Sequence, residues 1–108
     1  MAKYLLIESR DPFDSRDTEF CYGLAKELAQ AGNDVTLFLV QNGVFPARPG
    51  ARSAALTDVV AAGAEVLADD FSLRERGISE KDLLDAVKPA SIETLLDQLA
   101  EGRKALWH

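Results

Sequence analysis

The stretch Glu65–Gly77 reads EVLADDFSLRERG, and its order of residue types decides the fold class. Glu65 to Ala68 is a short strand. Asp69 and Asp70 follow, then a helical turn carrying Arg74 and Arg76, then Gly77 as a stop. A strand running into a polar turn and a helix is half of a βαβ unit, the building block of parallel sheets. In open α/β sheets the loops at the carboxyl ends of the strands form the ligand crevice. This stretch brings Asp69, Asp70, Ser72, Arg74 and Arg76 to that edge, and neither cysteine nor histidine.

Upstream, Val35 to Val40 (VTLFLV) is the strongest strand signal, continuous and β-branched, and it predicts a central strand. Tyr4 to Ile7 predicts a first strand buried on both faces. Between them, Glu8 to Asp17 (ESRDPFDSRD) is a loop, with Asp14 or Ser15 as helix cap. Phe20 to Ala31 has helical spacing, with Phe20, Leu24 and Leu28 at intervals of four and Cys21 and Ala25 on the same broad stripe. Gly32-Asn33 ends it. Gln41-Asn42-Gly43 turns the chain, Val44-Phe45 is an apolar island, and Pro46 to Arg52 is a loop too rich in Pro and Gly for regular structure.

A second helix is expected from Ser53 to Ala62, with Ala54, Leu56, Val59 and Val60 toward the core, stopped by Gly63. Downstream of the opening stretch, Ser79 resembles a helix cap. Leu83, Leu84 and Val87 supply a short helix and a fourth strand that ends near Pro89. Ser91 opens the last helix, with Leu95, Leu96 and Leu99 as its apolar face and Gly102 as its end. Lys104 to Trp107 is the last strand. The alternation predicts one α/β domain over 1–108, a three-layer α/β/α sandwich with a mainly parallel five-stranded sheet.

Composition narrows the function classes. Hydrophobic residues are 47% of the chain and the net charge is −6, which suits a globular domain and argues against nucleic acid or an anionic membrane as partner. No apolar run approaches the ~20 residues of a membrane-spanning helix, and the opening Met-Ala-Lys lacks the parts of a signal peptide. The single cysteine, Cys21, cannot form an internal disulfide, so a cytoplasmic setting is expected.

The chain resembles the DsrE-like family, which includes sulfur-relay subunits of the DsrEFH and TusBCD type. The resemblance rests on Lys3–Ile7, on Leu24–Gly32 (LAKELAQAG), on Val35–Val44 (VTLFLVQNGV), on Arg74–Ile78 (RERGI) and on the tail Ile92–Trp107. It implies a small α/β/α sandwich that forms homo-oligomers, trimers or hexamers, with sulfur-relay proteins as partners. In carrier members a cysteine after the third strand accepts sulfur as a persulfide. Counting back from Arg76-Gly77, that position falls on Asp69, and an aspartate cannot carry sulfane sulfur. The resemblance therefore implies an accessory or interaction subunit of sulfur metabolism, not itself an enzyme, with no cofactor.

Other readings compete with this one. Arg10, Asp11, Asn42, Gly43, Asp69, Asp70, Arg74 and Arg76 meet at one strand-end edge and define a candidate crevice for a small molecule or anion. Mutual ion pairing among these aspartates and arginines is the plainer reading, and one of Asp69 and Asp70 is expected to cap the helix after them. Glu8 and Asp11 leave the first strand at the same edge, where acids could hold Mg²⁺, yet no metal-spaced cluster can be named. With Lys88-Pro89 that pattern weakly resembles phosphoacceptor receiver domains, but the chain lacks a βα unit for that fold. Cys21 as a sulfur carrier would require an exposed thiolate; its place on the apolar stripe predicts burial. Val44-Phe45 and Trp107 suit either the core or a subunit interface. His108 is assigned no role.

Overall fold

A computed structural model describes residues 1–50 and 53–108 of the chain. Five strands form one sheet: β1 Lys3–Glu8, β2 Asp34–Leu39, β3 Glu65–Asp69, β4 Val87–Ala90 and β5 Lys104–Trp107. Their spatial order is β4-β3-β2-β1-β5, and every pairing is parallel. β2 is central, as its continuous apolar run requires. Four α-helices connect the strands: α1 Thr18–Gln30, α2 Ala54–Ala61, α3 Asp70–Glu75 and α4 Ile92–Ala100.

The side-chain alternation of a strand divides the core into two layers. Leu6, Leu37, Leu39, Val66 and Ala68 face one side, where they pack with Cys21 and Ala25 of α1, Leu56 and Val59 of α2, and Leu73 of α3. Leu5, Ile7, Phe38, Val40 and Leu67 face the other, where Leu95 of α4 covers them. The expected three-layer architecture is present, with unequal outer layers. Large apolar side chains stay exposed on the side with one helix: Leu96 at 55%, Leu99 at 40% and Trp107 at 63%.

Local departures from the sequence reading have identifiable causes. The helix α1 starts at Thr18 with Asp17 at its cap position, and no side chain caps it; Asp14 and Ser15 instead donate their backbone N–H groups to the Asp11 carbonyl. Its buried face is Thr18, Cys21, Tyr22, Ala25 and Ala29, so Phe20 is solvent-exposed at 72%. The stripe is thus rotated by about one residue from the 20–24–28 row, because small residues at 21, 25 and 29 let the helix lie close to the sheet. Residues Gln41–Ala47 form a 3₁₀ helix that includes Pro46 rather than a turn and an irregular loop, a long run for a geometry that serves as a connector. In α2, Leu56 and Val59 are buried while Ala54 is exposed. The last two residues of the expected 46–52 loop lie outside the described residues.

Candidate functional site

The site is built where β3 hands over to α3. Asp69 ends the strand in extended geometry and caps the helix. Its Oδ2 accepts from the Ser72 backbone N at 2.9 Å and from Ser72 Oγ at 2.6 Å. Ser72 Oγ in turn accepts from the backbone N of Gln41 at 2.8 Å, so this turn is tied to the end of β2. Gln41 takes the left-handed conformation, with φ of 51°, to present that N–H. Asp69 is 6% exposed, and its second oxygen, Oδ1, is buried with no hydrogen-bond partner among the described residues.

The neighbouring charges separate into two groups. Arg76 turns toward the 3₁₀ helix: its Nε donates to Asn42 Oδ1 at 3.1 Å and its Nη1 to the Ser72 carbonyl at 3.2 Å. Its guanidinium also stands 5.8 Å from the Phe45 ring centre, within cation–π range. Arg74 turns the other way and pairs with Asp70 at 3.7 Å, an exposed contact worth only tenths of a kcal/mol. Asp69 and Ser72 join these groups. Asp11 lies apart from them; its carboxylate accepts from the backbone N of Phe13 at 3.1 Å, and its side chain lines a cavity of about 300 Å³ with Phe13 and Phe45. Arg10 is exposed beside it. Gly43 is buried because its backbone lies against Glu8, where a Cβ would collide with the Glu8 carbonyl oxygen.

A pair missed in the sequence sits at the carboxyl end of β1. The Glu8 side chain is wholly buried, and both its oxygens lie within hydrogen-bond reach of His108 Nδ1, at 2.7 and 2.8 Å. The residues are 100 positions apart. The register that sets Ile7 beside Trp107 brings them together, and nothing local in the sequence announces it. Cys21 is buried on the same side of the fold. Burial first, and then the Glu8 charge, push its thiol up to about 12, and the same two causes raise the Tyr22 phenol. A thiol so disfavoured as thiolate is a weak nucleophile at neutral pH. Among the described residues no group of three or more His, Cys, Asp or Glu side chains is placed to hold a metal ion. No described helix is long and apolar enough to cross a membrane.

Residues 2–107 match the model of the DsrE/DsrF-like family. The chain belongs to that family. Solved structures of similar shape support the DsrE-like fold over the full length. The ychN protein from E. coli superposes with a TM-score of 0.88 at 23% identity, covering 100% of both chains. A protein of unknown function from Methanobacterium thermoautotrophicum reaches 0.81 at 19% identity, covering 97% of this chain and 99% of that one. A conserved protein of unknown function from Bacteroides thetaiotaomicron reaches 0.77 at 16% identity, covering 98% and 95%. At these identities the likeness establishes the fold. No curated protein matches the chain by sequence.

Proposed function

We propose that this DsrE/DsrF-like chain is a non-catalytic accessory or interaction subunit associated with sulfur metabolism, acting in the cytoplasm as a homo-oligomer. One observation carries the proposal. Counting back from Arg76-Gly77, the position expected for a carrier cysteine falls on Asp69, whose carboxylate is bound up with Ser72 in holding the β3–α3 turn. The chain's single cysteine, Cys21, is buried with a raised thiol pKa, which argues against a carrier role by another route. The exposed Leu96 and Leu99 of α4 and Trp107 of β5 support an apolar contact with another copy, since aromatic side chains are enriched at interfaces.

Native mass spectrometry before and after incubation with a persulfide donor tests this reading. The expected result is a trimer or hexamer whose mass does not change. One added sulfur per chain would assign Cys21 a carrier role, and a strictly monomeric protein would remove the support from oligomerisation.

A further inference from the structure

The carboxyl end of β3, helix α3 and the first turn of α4 border an open cavity of about 570 Å³ lined by Asp69, Asp70, Phe71, Arg74 and the segment Ser91–Glu93. Asp69 is paired with Ala90 across the β3–β4 ladder, so α4 begins two residues beyond the partner of Asp69. Three observations about this cavity converge on one ligand class.

The first is the unsatisfied oxygen. The cap and the Ser72 hydroxyl both use Asp69 Oδ2, and the two oxygens of a carboxylate diverge. Oδ1 is therefore turned away from Ser72, buried, without a partner among the described residues, on a residue that lines the cavity. Leaving a buried acceptor unpaired costs about 1–3 kcal/mol, and helix capping does not require it, since one oxygen suffices. The second is charge. The walls carry three carboxylates, Asp69, Asp70 and Glu93, against one cation, Arg74, which is already paired with Asp70. Glu93 occupies the first turn of α4, where an incoming anion would otherwise bind. The third is the apolar rim, formed by Phe71 at 57% and Ile92 at 51% exposure.

We propose that this cavity binds a small primary ammonium compound with an apolar body. The ammonium donates to Asp69 Oδ1, and the body lies between Phe71 and Ile92. Because Oδ1 has no exposed surface of its own, seating the ammonium requires the Asp69 side chain to shift toward the cavity. A charge-assisted bond formed there, away from bulk water, is about twice as strong as a neutral one. This site goes beyond the accessory role and does not depend on it.

The test is an ¹⁵N NMR titration of the full chain, in its native assembly, with phenethylamine, 3-phenylpropanol and 3-phenylpropanoate as probes. The expected result is saturable shifts for the amine, confined to Asp69–Arg74 and Ser91–Glu93, with the alcohol and the acid at least roughly tenfold weaker. Asp69→Asn keeps an oxygen for the cap and should abolish amine binding. Should that variant fail to fold, Ile92→Ser at an exposed position should weaken phenethylamine while leaving methylamine unchanged. Equal responses to the three probes, shifts elsewhere, no shifts, or unaltered amine binding in the folded variants would overturn the proposal.

Discussion

Glu8 and His108 form a contact that joins the first strand to the last residue of the chain. The carboxylate is wholly buried and the imidazole is 25% exposed. The backbone reinforces the contact, with His108 N donating to the Ile7 carbonyl at 2.8 Å and Ser9 N to the His108 carbonyl at 3.3 Å. Removing the ring leaves Glu8 buried near Cys21 and Tyr22, whose ionisation it already opposes, with a long contact from the Arg10 backbone N at 3.4 Å as its remaining partner among the described residues. His108→Ala should destabilise the protein by about 1–3 kcal/mol in urea unfolding, the cost of taking a hydrogen-bond partner from a buried polar group. Adding Glu8→Gln should recover part of that loss. A double variant less stable than the sum of the singles would refute the account.

Gly43 should tolerate no side chain. The obstacle to a Cβ there is the Glu8 carbonyl, a backbone group that also accepts from Val40 N at 3.0 Å and so cannot move freely. Gly43→Ala should cost about 1–3 kcal/mol, measured by the same unfolding assay. Gly23, which has open space around its Cα, serves as the comparison: Gly23→Ala lies inside α1 and should stabilise by up to about 1 kcal/mol.

Asp69→Ala should lose about 1–2 kcal/mol through the helix cap, while Asp69→Asn should lose less because it still offers an oxygen to Ser72 N. Equal losses for the two would show that the cap is not what holds the β3–α3 turn.

Cys21 sets an alkaline limit. Its pKa rises from 9.0 to about 12 on folding, so the folded state holds the neutral thiol while the unfolded chain ionises. The stability tied to this group is fully present below pH 9 and is lost progressively as the pH rises toward 12. Cys21→Ala should therefore flatten part of the decline in stability above pH 9, with Tyr22 supplying a further part of the same sign. At pH 8 native Cys21 should resist iodoacetamide and react only after denaturation. Rapid native labelling would contradict its burial.

The strands and the glycine stops were legible because each depends on a few adjacent residues. Val35–Val40 could be little else than a buried strand, and Gly32, Gly63, Gly77 and Gly102 all take positive φ as stops must. Asp69 as a cap could also be read, since an acid before a helical turn has a local reason to be there. What stayed hidden needed a register or a rotation. The Glu8–His108 contact follows from which strand lies beside β1, and that is a property of the whole sheet. The exposure of Phe20 follows from how deeply α1 settles, which the small residues at 21, 25 and 29 decide more than the large ones at 20, 24 and 28. The division of the charged cluster, Arg76 toward Asn42 and Arg74 toward Asp70, is set by α3, a helix too short for its periodicity to show.

Pro89 has a consequence for how sheets of different molecules can meet. It sits in β4, one of the two outer strands, where a proline turns its missing N–H outward and denies an incoming strand a donor. The other margin, β5, carries no proline and among the described residues has β1 as its one strand neighbour. Head-to-tail polymerisation needs two receptive margins per molecule, and in this sheet one of the two is blunted. Edge-to-edge joining is thereby favoured through β5 and disfavoured through β4, which biases such contacts toward pairs over fibres.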